Sequence, residues 1–164
     1  MIPTKYSIWL LLSKKDKIYI SDIISSLGKE YNAPIFHPHC TLISPVTDLE
    51  TAQTLIDQLN FKPFDVQMRG FGQTDIIWKT VFIKLEANPY LTLLNYLFSQ
   101  AFDTDYNFLP HFSLIYKDMD SDLKNKIIKK LDLKDTYKVN GIAIVNTDGP
   151  VERWKSVYED YWTT

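Results

Sequence analysis

Cysteine is almost missing from this chain of 164 residues: Cys40 stands alone, which excludes an intrachain disulfide framework and a paired-thiolate metal site. Glycine is scarce too. Five residues leave little material for a Gly-rich phosphate loop, and no Gly-x-Ser-x-Gly elbow occurs. Long apolar runs are absent; Ile8 to Leu12 falls far short of a membrane span. Ser13, Lys14 and Lys15 follow it without a small-residue cleavage site, so no secretory leader is expected and the expected location is cytoplasmic. An excess of positive charge is missing as well. Lysine plus arginine number 18 against 20 acidic residues, a net charge of −2, which disfavours a long nucleic acid as partner while a small phosphate-bearing ligand stays open. Histidine is the scarcest informative residue, with only three.

What is present describes a globular chain. With 45% hydrophobic, 23% charged and 14% aromatic residues, disorder is excluded. Folding a chain of this size buries roughly 70% of its surface, ample for a core in one domain or two small lobes. Strands are expected at Tyr6 to Leu12, His39 to Ser44, Phe64 to Phe71, Trp78 to Glu86, His111 to Tyr116, Tyr137 to Val145 and Arg153 to Tyr161. Ser13 to Lys17 reads as a polar turn, and Ser21 or Asp22 as the cap of a helix that Pro34 stops. Asp48 caps a helix through Leu59, Asn88-Pro89 opens another, and Asp120 or Ser121 begins a basic one to Leu131. Asp148-Gly149 reads as a hairpin turn.

The chain echoes itself. Pro38-His39-Cys40-Thr41-Leu42-Ile43 recurs 72 residues later as Pro110-His111-Phe112-Ser113-Leu114-Ile115. Trp78-Lys79-Thr80-Val81-Phe82 recurs as Trp154-Lys155-Ser156-Val157-Tyr158. With no Gly/Ser linker between them, the units, about 5–77 and 78–150 with a closing strand at 151–162, are expected to form a single bilobal catalytic domain over 1–164.

Residues two apart in an extended segment share a face, so His39 lies beside Thr41 and His111 beside Ser113, while Cys40, Leu42, Phe112 and Leu114 anchor the opposite face in the core. Each pair joins a group that moves a proton near neutral pH to a hydroxyl that donates to an anionic oxygen. A single histidine of this kind is by default a core residue bonded to a neighbouring hydroxyl; the duplication reverses that default. His37 lacks the hydroxyl and reads as a rim or packing residue. A phosphate fits between the two pairs if the lobes face each other across a groove.

These motifs resemble the paired His-x-Thr/Ser signatures of the 2H phosphoesterase superfamily. Tyr6-Ser7-Ile8-Trp9, Pro34 to His39, Leu109 to Tyr116 and Ile144-Val145-Asn146-Thr147 are similar to its plant and yeast cyclic phosphodiesterase branch. The resemblance implies an α+β, bilobal fold, with two pseudo-symmetric lobes, each an antiparallel sheet with outer helices, around a central cleft. It implies metal-independent hydrolysis of nucleoside 2′,3′-cyclic phosphates or ADP-ribose 1″,2″-cyclic phosphate, with His39 and His111 catalytic and Thr41 and Ser113 binding phosphate. His111 is taken as base and His39 as acid, an assignment that the symmetry leaves open. Trp9 and Tyr116 are the candidate substrate-binding aromatics, although Tyr116 has the wrong parity relative to His111 unless the strand twists or ends there. Lys124, Lys126, Lys129, Lys130 and Lys134 read as a solvated helix face. No metal motif is seen, so no metal and no cofactor are expected. A small nucleotide-like cyclic phosphate is the expected partner, without membrane association, and a monomer is the expected state. The alternatives are an RNA-end 2′,3′-cyclic phosphodiesterase or 2′-5′ RNA ligase-like enzyme, and a non-catalytic nucleotide-binding module.

Overall fold

The structure, a computed structural model, describes residues 2–164. Among these the order is β1 (Tyr6–Leu12), α1 (Lys14–Tyr31), β2 (Cys40–Val46), α2 (Leu49–Gln58), β3 (Phe64–Gln73), β4 (Val81–Leu85), α3 (Pro89–Ser99), β5 (His111–Ile115), α4 (Ser121–Lys130), β6 (Thr136–Asn146) and β7 (Lys155–Tyr161). All strand pairings are antiparallel. The architecture is the α+β, two-sheet fold expected from the sequence. No helix among the described residues is long and apolar enough to cross a membrane.

Each sheet borrows its third strand from the other half of the chain. β1 pairs β2 on one side and β6 on the other, with β7 beyond β6; β4 pairs β5 on one side and β3 on the other. β3 then joins the sheets, since Phe64 to Gln67 pair with β6 while Met68 to Gln73 pair with β4. The change of partner needs a break in the strand. That break lies two residues beyond Met68, at Gly70, whose φ of +119° suits a residue without Cβ, next to the register shift between Met68 and Gly70.

Side-chain chemistry starts the helices. Asp48, Asn88 and Asp120 accept from the main-chain N–H of Thr51, Leu91 and Leu123, and Pro89 stands at the first turn of α3. α1 begins earlier than its apolar spacing indicates. Ser13 is its cap, and the segment read as a polar turn is its first turn, because Asp16 is buried and bonded to Lys134 and to the main-chain N–H of Lys138. A tertiary anchor, invisible to periodicity, thus supplies the extra turns. Ile77–Lys79 form a 3₁₀ turn ahead of β4, so that strand starts at Val81 rather than Trp78. A second 3₁₀ turn at Val151–Arg153 makes the β6–β7 connection longer than a tight hairpin.

α1 packs against β5 and α3 against β2, so each helix covers the histidine strand of the other half. β2 and β5 are the outer strands of the two sheets, and they also meet. The outer edge of β2 is satisfied by side chains: Asn95 donates to the Leu42 carbonyl at 3.0 Å, and Tyr106 and Thr104 to those of Thr41 and Ser44. Leu42, Leu114, Phe112, Ile83, Ile8 and Tyr137 lie in the fully buried core behind the strands.

Candidate active site

Where β2 and β5 meet, both His-x-hydroxyl motifs open into a single cavity of about 360 Å³. Its walls include His39, Thr41, His111 and Ser113, and the candidate aromatics Trp9 and Tyr116. Tyr116 reaches the cavity because β5 ends at Ile115, which removes the parity objection; it stacks on Phe36 with ring centroids 3.8 Å apart. His37 is exposed and lies on a neighbouring cavity of about 330 Å³ that shares Trp9 and Trp154 with the first. Its carbonyl, rather than its ring, serves the site.

The two imidazoles are held identically. His39 Nδ1 lies 2.7 Å from the His37 carbonyl oxygen and His111 Nδ1 2.7 Å from that of Leu109. A carbonyl only accepts, so Nδ1 carries the proton and Nε2 is left as the working nitrogen. In each sheet the hydroxyl of the motif faces an aromatic residue on the neighbouring strand, Thr41 opposite Trp9 and Ser113 opposite Phe82. Those aromatics cover the histidines. Trp9 stacks on His39 at 3.5 Å and 7°, whereas Phe82 meets His111 edge-on at 5.2 Å and 66°.

Burial lowers the basicity of both rings. His39 is pushed down to about 3, chiefly by loss of solvation, opposed by its bond to the His37 carbonyl and reinforced by the charges of His111 and His37. His111 is pushed down to about 4, again chiefly by burial, with the Lys79 cation adding to the shift. Burial therefore favours the neutral form of both imidazoles at pH 7. The lone Cys40 is buried behind them, its thiol pushed up to about 12 by burial, and is inert.

The hydroxyls differ. Ser113 Oγ donates to the Trp78 carbonyl at 2.7 Å, while Thr41 Oγ has no hydrogen-bond partner among the described residues. Trp78 belongs to the segment joining β3 to β4, and internal bonds shape that segment; among them Thr74 Oγ donates to the Lys79 carbonyl, Thr80 Oγ to that of Ile77, and Lys79 N–H to that of Ile76. Lys124 holds it from behind. This ammonium is only 2% exposed and donates to the Thr74 carbonyl and to Asp75, so it does not belong to a solvated helix face as its neighbours in sequence suggested.

Several lining residues were not singled out from the sequence. Ser7, Ser44 and Thr147 form a hydroxyl cluster in the wall, Lys5 and Lys79 join the lining, and Trp78 and Trp154 meet with ring centroids 5.4 Å apart. Ser7 was legible in principle, since it lies two residues before Trp9 on the same strand face. The two tryptophans are the first members of the second sequence echo. No Asp or Glu lines the cavity, and among the described residues no three His, Cys, Asp or Glu side chains gather as a metal cluster.

No family model matches the chain. In sequence it is similar to a cyclic phosphodiesterase of Arabidopsis thaliana, 21% identical over 93% of this chain and 92% of the relative. It is also similar to a protein of Bacillus cytotoxicus that carries a phosphoesterase name, 28% identical over 72% of this chain and 74% of the relative. In fold it matches E. coli LigT complexed with 3′-AMP, with TM-score 0.67, 15% identity and coverage of 99% and 100% of the two chains. A Thermus thermophilus protein, TT0787, matches with TM-score 0.63 and 16% identity over 96% of this chain and 97% of that one. LigT has also been crystallised with phosphate, ATP and NADP⁺. These likenesses agree with the resemblance carried by the paired motifs.

Proposed function

We propose that this chain is a 2H phosphoesterase that hydrolyses small cyclic phosphodiesters on ribose, nucleoside 2′,3′-cyclic phosphates or ADP-ribose 1″,2″-cyclic phosphate. One observation carries the reading: two imidazole–hydroxyl pairs from opposed strands open into one nucleotide-sized cavity that holds two lysines and no carboxylate. The two βαβαβ units with their closing strand act as one catalytic body, and the ligand is a single small nucleotide.

Opening the ring forms a bond from water oxygen to phosphorus and breaks one from phosphorus to a ribose oxygen. His111 Nε2 accepts the proton from water, and His39, protonated, gives one to the departing ribose oxygen. Burial favours the neutral form of both rings, so the acid acquires its proton together with the anionic substrate, whose charge offsets the loss of solvation. Thr41 and Ser113 donate to the non-bridging oxygens, where charge grows as the ring opens; Ser113 does so by turning its proton away from the Trp78 carbonyl. Lys79, on the His111 side, adds a fixed positive charge. The residues supply acid, base and charge stabilisation by themselves, so the reaction is metal-independent on this reading.

The test incubates the protein with 2′,3′-cyclic nucleotides, ADP-ribose 1″,2″-cyclic phosphate and a short RNA ending in a cyclic phosphate, with products identified by phosphorus NMR. The small nucleotides are expected to turn over with a bell-shaped pH profile, unaffected by EDTA. His39→Ala and His111→Ala each reduce the rate about 100-fold or more. Preference for the RNA selects the RNA-end reading. Nucleotide binding without turnover at any pH selects the non-catalytic module.

A further inference from the structure

One part of the cavity wall is built of groups that the hydrolytic scheme leaves idle. Ser7, 5% exposed on β1, places its Oγ 2.7 Å from Ser44 Oγ and 3.0 Å from Thr147 Oγ, and all three residues line the cavity. Three hydroxyls carry three protons, and two mutual contacts consume two of them. Whichever way the chain of bonds runs, one O–H remains, and among the described residues no other side chain or carbonyl accepts it. The cluster is therefore a net donor directed out of itself. Lys5 lines the same cavity: its carbonyl accepts from Thr147 N–H, and its own main-chain N–H is spent on Asp148, outside the lining. A spare hydroxyl proton and an exposed lysine at the rim, with no carboxylate in the wall, suit an acceptor-only group of negative charge.

We infer that Ser7, Ser44, Thr147 and Lys5 form a second anion subsite, which takes a further phosphoryl group of a nucleotide whose cyclic phosphate lies between His39 and His111. The inference rests on the proposed function and deepens it: the preferred substrates carry a second phosphate on the same nucleotide, as a 5′-phosphate or a 5′-diphosphate. The two histidine pairs and Lys79 hold one phosphorus, and the hydroxyl cluster is a further place in this cavity where donors outnumber acceptors. A purely structural tie between β1, β2 and the end of β6 needs only the two mutual bonds and leaves the third hydroxyl proton without an acceptor.

Binding, which requires no turnover, tests it. Calorimetry compares adenosine 2′-monophosphate with adenosine 2′,5′-bisphosphate on the wild-type protein and on the Lys5→Met and Thr147→Val variants. The wild type is expected to bind the bisphosphate on the order of 10-fold more tightly, the size of a few hydrogen bonds to a charged group. Each variant is expected to collapse the ratio of the two affinities toward one. Ser7→Ala does the same if it folds; the other two variants, at less buried positions, carry the test if it does not. Equal affinities in the wild type, or a ratio kept in both variants, overturn the subsite. If adenosine 2′-monophosphate binds and the bisphosphate gains nothing, the subsite alone falls. If neither nucleotide binds, the phosphate reading of the whole cavity falls with it.

Discussion

At the scale of single residues, the site is a symmetric pair of motifs made unequal by its neighbours. Both imidazoles hang from an i−2 carbonyl at 2.7 Å, yet only His111 feels the charge of Lys79, and only His39 lies face to face with a tryptophan. Lys79 is half-buried and burial lowers its pKa, with no acidic partner among the described residues, so its charge is available to a phosphate. Removing that cation relieves the repulsion that helps keep His111 neutral. Lys79→Met is therefore expected to move the acidic limb of the kcat/KM profile to higher pH and to raise KM about 10-fold, while Lys79→Arg keeps the limb in place. A merely structural lysine would depress the rate equally at all pH. An unmoved limb in Lys79→Met, read by pH–rate measurements, excludes this role. The histidines and their hydroxyls were legible because the motif occurs twice and alternation in a strand is local. Lys79 was not, because a loop residue has no parity; its place in the wall comes from bonds made by Thr74, Thr80 and Ser113.

At the scale of elements, α4 shows why a helix face cannot always be read from its charges. Among Lys124, Lys126, Lys129 and Lys130 the first is sealed under the β3–β4 segment, paired with an Asp75 that is itself 98% exposed. A buried ammonium is retained at a cost unless its donors are used, and here they hold the Thr74 carbonyl and so the wall that carries Trp78 and Lys79. Lys124→Met fills the same space without the bonds. The global fold is expected to persist, whereas amide exchange in 74–80 accelerates and KM rises several-fold with little change in kcat. Mass spectrometry of exchange in that segment decides: unchanged protection removes the positioning role. Strand and helix existence was readable throughout, since alternation, caps and proline stops are local signals. The boundaries that escaped, at the start of α1 and at β4, are those set by a buried Asp16 meeting Lys134 and Lys138 and by the 3₁₀ turn that places Trp78 against Trp154.

At the scale of the whole molecule, the exchange of third strands between sheets puts the two outer strands together, and with them two histidines whose rings are buried there. The sequence echo indicated two linked halves, but not that β6 would complete the first sheet and β3 the second, since pairing across such distances leaves no local mark. The arrangement has a thermodynamic consequence. Burial pushes His39 down to about 3 and His111 down to about 4 in the folded protein, against about 6.5 in an unfolded chain. Between pH 4 and 6.5 the unfolded state therefore binds more protons, and stability must fall as pH falls through that window, by up to about 1.4 kcal/mol per pH unit for each proton taken up. Asp16, whose pKa burial raises but whose bonds to Lys134, the Lys138 N–H and Ser13 together bring below the ordinary value, adds a loss of the same sign below the ordinary carboxylate range. Phosphate in the cleft opposes the histidine contribution, because an anion between the rings favours their charged forms. Urea midpoints measured from pH 7 to pH 4 are expected to decline, to decline less in phosphate, and to flatten in the His39→Gln/His111→Gln double variant. A wild-type midpoint that stays level across this range, or a double variant that keeps the full slope, would show that the two imidazoles are not buried neutral at the junction of the sheets.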